Sequence, residues 1–170
     1  MHQPPDNGTF RRVLGHLPTG VVVVTASSAG VPHGLAIGSF TSVSLDPPLI
    51  GFFPAKTSRS WPAIEAAGRF CVNVLDEDQQ DLSARFAARD GDRFAGVTWR
   101  RSPSGSPILA GVHAWIDCVL DEVTGYGDHW FVSARVTALG VERGHGPLVF
   151  YQGGYARLVS GDPVSGGPAG

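Results

Sequence analysis

Lys56-Thr57-Ser58-Arg59-Ser60 places two cations and three hydroxyls just before a helix start marked by Ser60-Trp61-Pro62. Backbone N–H groups are free at such an end and the helix dipole favours negative charge, so the stretch reads as a phosphate cradle. The same residues suit plain N-capping on a solvated loop. A second patch, Gly38-Ser39-Phe40-Thr41-Ser42-Val43-Ser44, concentrates small hydroxyl side chains in a strand after a glycine. A flat ligand can lie against backbone amides there, although an edge strand with one wet face has the same composition. Gly127-Asp128-His129-Trp130 sets an imidazole beside aromatics at a turn. It suits chemistry near neutral pH, or is simply an exposed turn histidine.

Other constellations are missing. Gly125-Tyr126-Gly127 and Gly144-His145-Gly146 lack a third glycine and a following helix, which argues against a Rossmann dinucleotide site. No GxxxxGK[ST], GxSxG or HExxH occurs, and none of the six histidines pair at i+2 or i+4. No metal site is expected. Asp76-Glu77-Asp78 reads as negative charge in the first turn of a helix. Cys71 and Cys118 show no CxxC spacing, which excludes a disulfide scaffold and a structural zinc site. A net charge of −2 provides no overall field for nucleic acid or anionic membrane.

The elements that must position these groups are mostly strands. With 170 residues and 42% hydrophobic composition, the chain is expected to form one domain over residues 9–159. Looser ends are expected at residues 1–8 and 160–170. Arg11-Arg12 ahead of an apolar stretch resembles a twin-arginine export signal. Only Val21 to Val24 is uninterrupted, however, too short for an h-region of roughly 7–15 residues. A short helix at 9–17, stopped by Pro18, is expected instead. No run approaches the roughly 18 apolar residues of a spanning helix, so a cytoplasmic protein is expected.

Strands are predicted at 20–26, at 40–45, at 148–151 and at 155–159, with a turn at Ser28-Ala29-Gly30 leading into a further segment through Pro32. The fully apolar runs at 49–53 and 69–75 read as central strands. A hairpin is predicted from 114–120 and 130–139 across Gly125-Tyr126-Gly127-Asp128. Ser60 is expected to cap a helix to Ala67. Asp76 and Gln79 read as a capping box opening a helix to Arg89, with Leu82 and Phe86 on its inner face. This spacing of strands implies an antiparallel barrel or sandwich with helices plugging its ends, and a barrel is expected.

Several segments, in order, resemble the short-chain flavin reductases, the reductase components of two-component flavin-dependent monooxygenases. They are Leu17-Pro18-Thr19-Gly20-Val21-Val22-Val23-Val24-Thr25, the run from Ser39 to Leu49, Lys56 to Ser60, Phe70-Cys71-Val72-Asn73-Val74-Leu75, and Leu82-Ser83-Ala84-Arg85-Phe86-Ala87. Gly127-Asp128-His129 with Phe131-Val132 matches the family's Gly-Asp-His signature, and Gly154-Tyr155 its closing Gly-Tyr. The resemblance implies a mainly β, FMN-binding split β-barrel, antiparallel and Greek-key, with a few short helices. It also implies a homodimer holding FMN or FAD in a groove near the dimer interface.

By the same resemblance, Ala36, Ile37, Gly38, Ser39, Phe40 and Ser42 would lie along the isoalloxazine and ribityl chain. Lys56, Thr57, Ser58 and Ser60 would meet the phosphate, with Ser83, Arg85 and Phe86 closing that side. His129 would be the catalytic residue, placing the nicotinamide of NADH or NADPH over the flavin, with Tyr155 nearby. Ala36 and Gly38 depart from the family's frequent Thr and its Ser or Asn, leaving contacts there to backbone amides. The implied function is an NAD(P)H:flavin oxidoreductase supplying reduced flavin to a partner monooxygenase, with neither nucleic acid nor membrane as partner. Two other readings stand beside it. One is a non-catalytic flavin carrier, and the other is a flavoenzyme that keeps its flavin and reduces its own organic substrate.

Overall fold

Val21 to Val24 does not alternate with polar residues because both faces of that segment are covered. The computed structural model describes residues 4–142 and 145–159. The expected tail at 160–170, the first three residues and Gly144 lie outside the described residues. In chain order the elements are α1 (Asn7–Leu14), β1 (Thr19–Gly20), β2 (Val22–Ser28), β3 (Val31–Ile37), β4 (Thr41–Leu45), β5 (Pro48–Phe52), α2 (Trp61–Ala67) and β6 (Arg69–Val74). There follow α3 (Gln80–Ala87), β7 (Trp99–Arg101), β8 (Pro107–Leu109), β9 (Ala114–Tyr126), β10 (His129–Val141), β11 (Val149–Tyr151) and β12 (Gly154–Ala156).

The expected mainly β, antiparallel architecture is present. Seven strands pair in the order β3-β2-β6-β9-β10-β5-β4, with a second sheet β1-β11-β12 and a small hairpin β7-β8. β6 is the middle region of the large sheet, whereas β5 lies one place in from its edge. Residues alternate between two cores. Val22, Val24 and Ala26 of β2, with Phe70 and Val72 of β6, join Phe52, Trp61 and Ile64 in one cluster. Val21, Val23 and Cys71 join Phe86, Ile108, Leu109 and Leu148 in the other. Thus α2 covers one face and α3 the other, and each fully buried large side chain contributes about 1.5–3 kcal/mol.

Asn73, fully buried, sews β7-β8 to the sheet. Its Nδ2 donates to the carbonyls of Val23 (3.1 Å) and Pro107 (3.2 Å), and its Oδ1 accepts from the Leu109 amide at 2.8 Å.

Several local expectations are corrected. The first helix starts at Asn7, inside the expected loose end, because Asp6 caps it by accepting from the Thr9 amide at 2.9 Å. It ends at Leu14, before Pro18 acts. Ser60 holds the expected N-cap position of α2 but its side chain makes no capping bond; Ser58 supplies one instead, its Oγ accepting from the Trp61 amide at 3.2 Å. Gln79 does accept from the Asp76 amide at 3.0 Å, yet α3 begins only at Gln80 and ends at Ala87. Asp76 instead extends a strand contact to Pro147, so only Asp81 supplies acidic charge to the first turn of α3. The predicted hairpin is there but longer, with 13 residues in each strand and a turn of only Gly127 and Asp128. Among the described residues no helix is long and apolar enough to cross a membrane.

Candidate functional site

β3 is an edge strand, so half of its backbone polar groups face away from β2. The Gly34 carbonyl accepts from Arg93 Nη1 at 2.8 Å, which fixes the direction in which that residue's backbone points. With a period of two, the Ala36 N–H and C=O point off the same edge. Donor and acceptor are therefore offered at Ala36 without any help from its side chain.

The loop between β5 and α2 forms the facing wall. Ser39 ties it down, since its Oγ accepts from the Phe53 amide at 2.9 Å. The tip of the β9-β10 hairpin straps it from the other side. Lys56 N donates to the Asp128 carbonyl at 2.9 Å, Trp130 N donates to the Pro54 carbonyl at 2.9 Å, and Ala55 bridges His129. This strapping brings the turn histidine beside the hydroxyl-rich loop.

Between these walls runs an open groove of about 1730 Å³. Ala36, Ile37, Gly38 and Ser39 line it from β3 and its exit, Thr57 and Ser58 from the loop, Phe86 from α3, and His129 from the hairpin. Eight of the expected site residues thus converge. The others lie elsewhere, for identifiable reasons. Phe40 packs against the first core, and Ser42 is exposed on the edge strand β4. Lys56 Nζ sits over the Trp130 ring, 4.8 Å from its centroid. The Ser60 hydroxyl accepts from Arg93, and Arg85 donates to the Ala95 carbonyl. Ser83 is buried and accepts from the Tyr155 hydroxyl at 2.9 Å, so that pair fastens β12 to α3.

The cations of the groove are arginines, of which only Arg59 stood out in the sequence. Arg59, Arg89 and Arg93 line one side, and Arg11 of α1 lines it near Asp128. Arg59 was within the hydroxyl loop. Arg89 and Arg93 lie four apart just beyond the helix, and that spacing carries no signature. Burial lowers the affinity of the Arg93 guanidinium for its proton, and the neighbouring Arg59 charge lowers it further. The hydrogen bond from His129 Nδ1, at 2.7 Å, holds the Asp128 carboxyl below the usual carboxylate range.

The model of the family described as flavin reductase like domain matches residues 14–159. The chain belongs to the flavin reductase family. It is 54% identical over 153 residues to the reductase subunit HsaB of a flavin-dependent monooxygenase from Rhodococcus jostii, covering 90% of this chain and 78% of that one. A solved nitrilotriacetate monooxygenase component B homolog from Mycobacterium thermoresistibile is 50% identical, with a TM-score of 0.88 over 97% of this chain and 92% of that chain. The NADH:FAD oxidoreductase of Streptomyces globisporus, solved with NAD and FAD fragments, has a TM-score of 0.89 at 32% identity, over 96% and 99% of the two chains.

The groove of this flavin reductase fits the cofactor its family is named for. A flat ring needs an apolar wall and edge hydrogen bonds, which Ile37, Phe53 and the Ala36 backbone offer. A phosphate needs hydroxyls and cations, which Thr57, Ser58 and the arginines offer.

Proposed function

We propose that the protein is an NAD(P)H:flavin oxidoreductase that reduces FMN or FAD and hands the reduced flavin to a partner monooxygenase. The observation that carries this reading is the convergence of the open β3 edge, the Thr57-Ser58 loop and His129 on one groove. Bound flavin supplies, at N5, the acceptor for the hydride carried at C4 of the reduced nicotinamide. The chain's own work is binding and alignment. The Ala36 backbone edge meets the ring rim, and Thr57, Ser58 and Arg59 hold the phosphate in place of Lys56 and Ser60. His129, oriented by Asp128, orders the nicotinamide at the mouth of the groove. The groove is partly open to solvent, which suits a flavin that enters oxidised and leaves reduced.

The working unit in this reading is a homodimer in the cytoplasm, where reduced nicotinamides are available. Support comes from β4, an edge strand that leaves Val43 and Leu45 exposed, an arrangement that invites pairing or cover. The test is oxidation of NADH and NADPH by purified protein, followed by absorbance, with and without added FMN, FAD or riboflavin. Turnover that depends on free flavin is expected. Flavin binding without turnover favours a carrier. A protein that purifies yellow and oxidises NAD(P)H only with an added organic substrate is a self-contained flavoenzyme.

A further inference from the structure

The β9-β10 hairpin outruns the sheet that carries it. β10 pairs with β5 only from Val132 to Arg135, so His129, Trp130 and Phe131 continue past that pairing. Two antiparallel strands standing alone are marginal in water. Yet this tip presents His129 to the groove, so the loop after β5 must hold it.

Lys56 grips the tip twice. Its backbone N–H donates to the Asp128 carbonyl at 2.9 Å, and its ammonium lies over the Trp130 ring, 4.8 Å from the centroid. Trp130 in turn donates its N–H to the Pro54 carbonyl at 2.9 Å and packs against the first core. Gly125, directly opposite Trp130 in the hairpin, leaves the ammonium its place. A Cβ there would stand 3.3 Å from Lys56 Nζ and 3.4 Å from the ring.

Lys56 is the only lysine of the chain. It is exposed and ion-paired with none of the described residues. Thr57 and Ser58 line the groove beside it, whereas Lys56 does not. Its charge is therefore directed at a ring and not at a ligand.

We propose that Lys56 is a positioning residue for the reaction, a cationic clasp that holds the hairpin tip and thereby fixes His129 at the groove. Asp128 is the link between the two. Its carbonyl accepts from the Lys56 amide, and its carboxylate accepts from His129 Nδ1 at 2.7 Å. The proposal rests on the flavin reductase reading, in which His129 orders the reduced nicotinamide.

The experiment compares full-length wild type with Lys56→Met, Lys56→Arg, His129→Ala and the double variant Lys56→Met/His129→Ala, each checked by a thermal melt. Methionine keeps an unbranched side chain without the charge, and arginine keeps a cation able to sit on the ring. Hydrogen–deuterium exchange is read on the flavin-free proteins. Oxidation of NADH and NADPH with saturating free flavin gives kcat/KM for the nicotinamide.

In Lys56→Met the amides of Lys56 and Trp130 are expected to exchange about fivefold faster, and kcat/KM to fall about fivefold. Riboflavin and FMN affinities stay within about twofold. Lys56→Arg brings exchange and kcat/KM back to within about twofold of wild type. In the His129→Ala background the methionine substitution costs less than about twofold more, because the group it positions is gone.

A fall in FMN affinity with none for riboflavin would overturn the proposal, placing the ammonium on the phosphate. An equal loss of kcat/KM with and without His129 would also overturn it, since Lys56 would then act by another route. Unchanged exchange at the tip, or no rescue by arginine, would show that the cation holds nothing. A wild type that binds flavin but never oxidises NAD(P)H would defeat the reductase reading itself. The positioning role then falls with it, even where exchange reveals the clasp.

Discussion

His129 meets Asp128 through Nδ1 at 2.7 Å, which leaves Nε2 as the nitrogen available to a ligand in the groove. The pair is exposed, with side-chain exposures of 43% for His129 and 95% for Asp128, so its value lies in orientation more than in stability. His129→Ala is expected to lower kcat/KM for the reduced nicotinamide by roughly ten- to a hundredfold, as misplacement of a reacting ring does. Flavin affinity stays within about twofold. A collapse of flavin binding in a folded variant would place the imidazole on the flavin instead.

The loop residues divide differently from their sequence order. Lys56 looked like the phosphate's partner, but its ammonium lies over the Trp130 ring. Lys56→Ala should leave the ratio of FMN to riboflavin affinity within about twofold, whereas Arg59→Ala should cut it about tenfold. Isothermal titration with both ligands measures each ratio. Residue types left this loop open between an anion site and plain N-capping. Which cation faces inward depends on a cation–π contact with a strand over 70 residues away, and no local spacing encodes that.

Elements were more legible than their pairing. The Ala29-Gly30 turn, with both residues at positive φ, and the alternation along β9 announce hairpins from local rules alone. Helix starts were less so, because Gln79 spends its side chain on the Asp76 amide and the Ala110 carbonyl in place of an N-cap. Strand order could not be read at all. That β3 is an edge strand, and so can lend the Ala36 backbone to a ligand, follows from pairings across the whole sheet.

The groove-forming packing of β3 on α3 also hangs on one glycine. A Cβ at Gly34 would stand 2.5 Å from Phe86 Cε1 and 2.8 Å from its Cδ1. Phe86 is buried and stacked edge-on to Phe94 at 5.0 Å, so the ring has no room to yield. Gly34→Ala should cost about 1–3 kcal/mol, read as a lower urea midpoint with an unchanged slope. Flavin affinity should fall with it, since α3 and β3 separate at the groove wall.

At the scale of the molecule, two cores share β2 and β6, and the buried thiols report on whether both are intact. Cys71 belongs to the cluster under α3, and Cys118 to the one under α2. Both are fully buried and unpaired with each other. Burial pushes the Cys118 thiol up from an ordinary value of 9.0 to about 12, with the Asp117 carboxylate adding to it. Cys71 is raised by the same two causes in the same order.

A thiol whose value is raised in the folded state binds its proton more tightly there than in the unfolded chain. Its contribution to stability is therefore complete below about pH 9 and is lost as pH climbs from there towards 12. Two consequences can be measured together. A thiol reagent at neutral pH should modify neither cysteine in the native protein and both after denaturation. Urea midpoints should hold steady up to pH 9 and drop above it, with a smaller drop in the Cys118→Ala variant relative to its own neutral value. If one thiol reacts quickly in the native protein, the core holding it opens independently of the other. The groove wall on that side would then be the mobile one: α3 if the reactive residue is Cys71, and the β5-α2 side if it is Cys118.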